Sequence, residues 1–250
     1  MTHRRWLIGV LSLLFGVALF ALLQGVVSLG WISPFLVPPP SDMLAAIPAL
    51  YRDEGLVEKF LLTLGTVFVA TLLACVIGIP FGWFMYRRPA FGLAYESWLG
   101  AAFSAPLVLL YPLFMVIFGR GILAIVMMGL IAGVIPIALH TLQGFRGVPR
   151  VYLNVARSFR MNEGQIAIKV LLPAALPTIF TGIRLGMIYT MTYVVAIEFL
   201  VNLGGLGYLI GDLHNRYNIP GMYGVIVFVV LVSVLLFAGA ERLEKWLRFL

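Results

Sequence analysis

Three histidines, one cysteine and ten acids are the side chains of this 250-residue sequence best suited to metal ligation or acid–base work. His3, His140 and His214 stand far apart, with no thiol or carboxylate companion at ligand spacing, so no metal site is expected. Neither H-E-x-x-H nor G-x-S-x-G occurs. No G-x-x-x-x-G-K-[ST] phosphate cradle occurs either, so the chain is not expected to hydrolyse ATP by itself in the P-loop manner. The expectation is a protein that is not an enzyme, with no catalytic residue and no cofactor.

Two ionisable groups, Arg184 and Glu198, fall within one apolar run, where a charge is costly. Fourteen residues separate them, roughly 21 Å along a helix, which is less than the ~30 Å hydrocarbon core. Each can therefore reach its own interface, Arg184 inner and Glu198 outer, and they cannot pair on one straight helix. They are snorkelling side chains at helix ends, or a gate contact and path charge. Along the same run Thr178, Thr181, Tyr189 and Thr192 recur at helical spacing, placing hydroxyls on one face. With Glu198, that face is the candidate lining of a solute path. A chain of acids for a proton relay is missing.

The elements that carry these residues are membrane helices. Hydrophobic residues make up 62% of the chain and charged residues 11%, less than half of the ~25% of a soluble domain, and the mean hydropathy is +1.06. Six apolar runs approach the ~20 residues of a bilayer span: about 6–30, 60–86, 98–118, 122–140, 178–203 and 222–240. The first is too long for the h-region of a secretory signal and is expected to be retained. The fold class is an all-α polytopic membrane protein, one transmembrane domain over 1–250. The net charge of +7 is spread between the apolar runs, so its partner is the lipid headgroup layer of the bilayer and no nucleic acid is expected. The single cysteine, Cys75, permits no intrachain disulfide.

Cation placement sets the orientation. With the N-terminus inside, Arg4, Arg5, Arg87, Arg88, Arg146, Arg150, Arg157, Arg160, Lys169, Arg184, Arg242, Lys245 and Arg248 are cytoplasmic, against Arg52, Lys59, Arg120 and Arg216 outside. Both termini are then cytoplasmic. Gly78-x-x-x-Gly82, Gly129-x-x-x-Gly133 and Gly182-x-x-x-Gly186 offer close helix packing, or a path between halves. Pro80, Pro106, Pro112 and Pro136 interrupt three spans.

Two connections are long. The outer one, 32–58, reads as an extended Pro segment followed by a short helix capped at Ser41 or Asp42, a lid over the first two helices. The inner one, 143–177, is basic. In it Val151, Val155 and Phe159 form an apolar stripe, and Asn162 with Gln165 at N3 makes a capping box for a second short helix that Leu172-Pro173 ends. Two short helices in an L at the inner surface make a knob that a cytosolic protein could grip.

The run Asn154-Val155-Ala156, three residues, Arg160, nine residues, Val170-x-Leu172-Pro173 resembles the EAA loop of ABC importer permeases, whose pattern is Glu-Ala-Ala, three, Gly, nine, Ile-x-Leu-Pro. The continuation from Leu171 to Gly186, with Ala196-Ile197-Glu198 and Gly205-Leu206-Gly207, is similar to the nitrate/taurine/aliphatic-sulfonate branch of these inner-membrane components. The resemblance implies a type I ABC importer permease with six transmembrane helices in a bacterial inner membrane, engaged in binding-protein-dependent transport. Its partners would be a second permease chain in a homodimer, a cytosolic ABC ATPase dimer that hydrolyses the ATP, and a periplasmic solute-binding protein. The solute would be an anion such as nitrate, taurine or another sulfonate, or a related organic acid. ATPase coupling would fall on 154–173: Val155, Phe159, Met161 and Ile166 as contacts, with Asn154, Ala156, Arg160, Asn162, Glu163, Gly164, Leu172 and Pro173 around them. Arg160 stands where the family has Gly, and an Arg in the left-handed region costs on the order of 1 kcal/mol, so the bend is expected to shift to Asn162 or Gly164. The competing function is an ATP-independent secondary transporter or channel; an integral-membrane enzyme would need a reactive constellation that the sequence lacks.

Overall fold

The computed structural model describes residues 2–247, with side chains described at 14–242 and at Glu244. His3 and the inner cations Arg4, Arg5, Lys245 and Arg248 lie outside the described side chains. The elements are α1 Thr2–Ser28, α2 Pro40–Arg52, α3 Leu56–Arg87, α4 Pro89–Ser104, α5 Tyr111–Phe118, α6 Ile122–Arg146, α7 Arg150–Ser158, α8 Glu163–Ile166, α9 Leu172–Val201, α10 Gly205–Asn215 and α11 Ile219–Leu247. A 3-10 turn, Leu107–Leu110, precedes α5, and a π turn, Ala167–Leu171, joins α8 to α9. Among the described residues there is no strand.

Leu56–Arg87, Ile122–Arg146, Glu163–Val201 and Ile219–Arg242 are long and apolar enough to cross a membrane, as expected for four of the six spans. The chain is an all-α polytopic membrane protein. The expected third span is not a straight helix: Pro89–Ser104 and Leu107–Phe118 meet at 85°. The cause is local. Ala105 precedes Pro106, whose ring bars the α conformation from its neighbour, and Ala105 is extended at φ −74°, ψ 146°.

Helix α6 is the centre, with α3 on one side and α9 on the other. In lipid the hydrophobic effect does not drive helices together, so close backbone approach has to supply the attraction, and the three Gly-x-x-x-Gly pairs provide it. A Cβ at Gly82 would lie 2.6 Å from the Ala138 carbonyl oxygen, and one at Gly186 would lie 2.7 Å from Ile137 Cγ1 and 2.9 Å from the Gly133 carbonyl oxygen. The buried face of α3 continues this small-residue stripe outward through Ala74, Ala70, Thr66 and Thr63.

At the end of the bundle away from the 143–177 connection, α2 corrects two expectations. Neither Ser41 nor Asp42 caps it: Pro39 occupies the cap position, and the chain enters extended at φ −63°, ψ 145°. The free N–H of Ser41 instead donates to Gln24 Oε1 of α1 at 3.1 Å, while Gln24 Nε2 donates to Ser41 Oγ at 3.3 Å. Nor is α2 chiefly a lid over the first two helices, since Leu50 packs with Leu206, Leu209 and Leu213 of α10 and Val225 of α11. Helix α10 falls between the expected spans 178–203 and 222–240, and Leu206, Leu209 and Leu213 are all buried on it at helical spacing.

Arg216 ties this layer together, donating to both carboxylate oxygens of Glu54 at 3.0 and 2.7 Å and to Asp212 at 2.6 Å. The Arg216 hydrogen bonds hold the Glu54 carboxyl below its usual 4.5. A depressed carboxylate stabilises the fold fully above its unfolded value and loses that contribution as pH falls through the folded one. The stability difference between the native chain and Glu54→Gln should therefore stay constant at neutral pH and close as pH falls below 4.5, by thermal melts in detergent. Gly186→Leu should destabilise the bundle by about 1–3 kcal/mol through overpacking in the same melts. Gly100→Leu, where a Cβ meets nothing within 4 Å, should not.

Candidate functional site

The basic inner connection folds as a rigid elbow. Helix α7 ends in a Schellman arrangement: the Arg160 N–H donates to the Arg157 carbonyl at 2.8 Å and the Met161 N–H to the Ala156 carbonyl at 3.2 Å. Arg160 itself takes the left-handed conformation, φ 54°. The bend does not shift to Asn162 or Gly164, because the two hydrogen bonds and the packing of Met161 against the cluster around Ala156 offset the ~1–2 kcal/mol that a side chain costs there. Asn162 then caps α8 in the expected capping box, accepting from the Gln165 N–H at 2.9 Å while its own N–H donates to Gln165 Oε1 at 3.0 Å.

Leu172-Pro173 does not end the segment. Pro173 lacks an N–H and its ring would clash with the carbonyl four residues back; the π turn Ala167–Leu171 absorbs that defect, and the helix runs on into α9. Pro177 likewise lies inside α9.

The elbow has two faces. Ala156, Ile166 and Leu171 pack inward with Phe145, Val148, Ala175 and Ile179, fixing the elbow to α6 and α9. Ile166, expected as a contact residue, is 4% exposed and belongs to this inner face. Val151, Val155 and Phe159 point away from the bundle, Phe159 at 76% exposure, with Asn154, Arg160, Asn162, Glu163 and Gly164 exposed beside them. Leu172 and Pro173 are also exposed, and Met161 is half-buried.

The candidate path residues have separate partners. Thr178 lies against Gly144 of α6. Thr181 Oγ1 donates to Glu244 Oε1 of α11 at 2.9 Å, and Arg184 reaches Glu244 Oε2 at 3.5 Å. Arg184 thus has a partner one helix away, which sequence reasoning missed. Tyr189 meets Phe103 of α4 edge-to-face at 4.5 Å. Thr192, exposed, donates to its own helix at Ile188 O and borders a mostly apolar groove of about 570 Å³ between α9, α10 and α11.

Glu198 is 1% exposed. Its carboxylate accepts the Thr63 hydroxyl of α3 at 2.8 Å and the Gly207 N–H at 3.1 Å, and Thr63 Oγ1 in turn accepts the Leu206 N–H at 2.8 Å. Leu206 and Gly207 occupy the second and third positions of α10, where N–H groups have no partner within the helix and the helix dipole favours a negative charge. The carboxylate is thus the outside cap of α10, a clamp across three helices. A Cβ at Gly205 would fall on that carboxylate, and one at Gly207 would lie 2.7 Å from Glu198 Cβ.

With the elbow and clamp in place, residues 74–249 match the profile described as binding-protein-dependent transport system inner membrane component. The chain belongs to that family. It is 26% identical over 225 residues to the taurine transport system permease protein TauC of Escherichia coli K12, covering 88% of this chain and 82% of that protein. It is 29% identical to the bicarbonate transport system permease protein CmpB of Synechococcus elongatus (78% and 70% covered). Identity is 26% to the formylaminopyrimidine transport permease protein ThiX of Halalkalibacterium halodurans (85% and 84%). Among solved structures, an inward-facing form of the MetNI methionine ABC transporter superposes with TM-score 0.66 at 26% identity, covering 77% of this chain and 95% of that one. The sequence resemblance therefore holds at the level of the branch, and with it the assignment to transport rather than catalysis.

The side chains of this permease that sequence reasoning missed are Thr63, Thr190 and Glu244. Thr190, buried, donates to the Gly129 carbonyl at 3.0 Å; the buried small-residue stripe of α3 marks Thr63. Glu198→Ala should destabilise the permease by about 2–4 kcal/mol and Thr63→Val by about 1–3, since each strands a buried N–H. The double variant should cost clearly less than the sum, because both residues serve one network. Denaturant titration in detergent measures the cycle, and additive losses would dissolve the clamp into independent contacts.

Proposed function

We propose that this permease is the membrane half of an ATP-driven importer of a small solute, assembled from two copies of the chain, a separate ABC ATPase dimer and a solute-binding protein on the outer face. The observation that carries the reading is the elbow: Val151, Val155 and Phe159 exposed on a helix whose other side is locked to α6 and α9. An apolar ridge at the end of a membrane bundle, flanked by Arg150, Arg157 and Arg160, suits the groove of a soluble partner better than water. Both termini and the elbow would then face the cytoplasm, in keeping with the cation distribution.

The described interior supports ATP over a proton gradient as the energy source. Glu198 is committed to Thr63 and Gly207, and Glu244 to Thr181 and Arg184. A relay needs acids free to exchange protons along a line, and neither arrangement offers one. The solute would pass beside α9, with Thr192 in the groove between α9, α10 and α11 and Thr178, Thr181 and Tyr189 recurring at helical spacing along the same helix. In this reading Glu198 borders the path and holds its outer wall without touching solute. The taurine, bicarbonate and nitrate permeases among the relatives favour a small anion.

Phe159→Asp or Val155→Asp should weaken ATPase binding more than about tenfold, since a carboxylate would have to be desolvated in the contact, and abolish uptake in proteoliposomes holding the whole assembly. Insertion and the melting temperature should not change. Normal uptake by both variants would refute the docking face. Met161 and Ile166 are unsuitable probes, because they also pack inward.

A further inference from the structure

Two cavities lie along α3 near its Arg87 end, and the transport reading draws on part of their rim, Arg157, Glu163 and Leu172, without assigning the cavities themselves an occupant. The first, about 450 Å³, is bordered by Tyr86 and Arg87 of α3, Arg88 just past its end, Arg157 of α7 and Glu163 of α8. Three guanidinium groups face one carboxylate there, and that carboxylate already lies 3.3 Å from Arg87 Nη1. Among the described residues Arg88 and Arg157 have no ion-pair partner. The second cavity, about 350 Å³, is apolar and runs between Ile79, Pro80 and Trp83 of α3, Phe145 of α6, and Ile168 and Leu172 at the root of the elbow.

Ile79, Trp83, Tyr86 and Arg87 recur at helical spacing, so one stripe of α3 borders both cavities. The Arg87 guanidinium lies 5.8 Å from the Trp83 ring centre, joining the cationic pocket to the apolar groove. From Ile79 to Arg87 the stripe descends roughly 12 Å along the helix axis. Over that distance the lining changes from aliphatic, through an indole of the kind found at membrane interfaces, to guanidinium groups.

We propose that this double cavity is a binding site for an anionic phospholipid of the adjoining leaflet, its phosphate between Arg87, Arg88 and Arg157 and one acyl chain along Ile79, Trp83 and Ile168. The charge of the pocket selects an anion. The groove that opens above it on the hydrocarbon side selects an anion with an apolar tail, which free phosphate or an acidic peptide would not use. Cation-lined pockets between membrane helices are a recurrent way of holding anionic headgroups. A lipid there would add a bridge from α3 to the elbow beside the exposed Arg87–Glu163 pair and the packing of Trp83 and Tyr86 against the elbow's inner face. The assignment stands on the cavities and does not depend on the ATPase reading.

The test uses the purified full chain in neutral detergent, titrated with phosphatidylglycerol, phosphatidylcholine and inorganic phosphate and read by native mass spectrometry of retained lipid. Phosphatidylglycerol should be held in preference to phosphatidylcholine, and millimolar inorganic phosphate should not displace it. Arg88→Gln with Arg157→Gln should weaken phosphatidylglycerol binding roughly 30-fold, and Arg88→Gln alone roughly fivefold, from the contribution of each cation near a headgroup layer. Ile168→Gln, at an exposed groove position, should weaken it several-fold with all three arginines intact. Equal retention of the two lipids, arginine variants that bind as the native chain does, or displacement by inorganic phosphate would each overturn the proposal; the last would assign the pocket to free phosphate or an acidic peptide. Unchanged binding by Ile168→Gln would overturn the lipid assignment too, by removing its acyl half.

Discussion

Every backbone N–H and C=O that leaves a helix inside a bilayer must find a partner within the protein, and the places where this chain meets that demand are the places that give it shape. There are three. At Ala105–Pro106 the chain turns by 85°, and a short 3-10 turn restarts the hydrogen bonding. Past Val201, Asn202 closes α9 in the left-handed conformation while Arg120 takes the Val201 carbonyl at 3.0 Å. At the elbow, the Schellman bonds and the Asn162 capping box satisfy both sides of the bend. Within the helices, the energetics reduce to how closely they approach.

These solutions lie along one mechanical line. Helical backbone runs unbroken from Glu163 to Val201, 39 residues and nearly 60 Å at 1.5 Å per residue, longer than the bilayer is thick. One end is the elbow and the other carries Glu198, which grips α3 and the start of α10. Whatever moves the elbow in the proposed importer moves the clamp as well. The close contacts of Gly182 and Gly186 with α6 leave α9 little freedom to slide independently. A lever needs such stiffness, and here it comes from the absence of side chains at the crossing points.

The fold class, four of the spans and the two-helix elbow were legible in the sequence because each rests on a local rule: run length, periodicity, and the Asn162–Gln165 spacing. What was not legible depended on tertiary partners. Arg160 occupies a conformation its own propensity opposes, since the surrounding hydrogen bonds outweigh a penalty of about 1 kcal/mol. Helix α2 is capped from another helix, by Gln24, which no local motif could announce. Arg184 and Glu198 read as isolated charges because their partners, Glu244 and Thr63, are far away in sequence. Two features rest on local patterns as well. One is the alanine and threonine extension of the α3 glycine stripe; the other is the Leu206, Leu209, Leu213 spacing of α10.

The proposed importer depends on the elbow meeting a separate ATPase on the cytoplasmic side. The most direct measurement is maleimide labelling of single cysteines placed at 155 and 159, with Cys75 replaced, in inside-out and right-side-out vesicles with and without the bound ATPase. The account expects labelling by an impermeant reagent only in inside-out vesicles, and protection when the ATPase is bound. Labelling from the outer face, or equal labelling whether or not the ATPase is present, would contradict it.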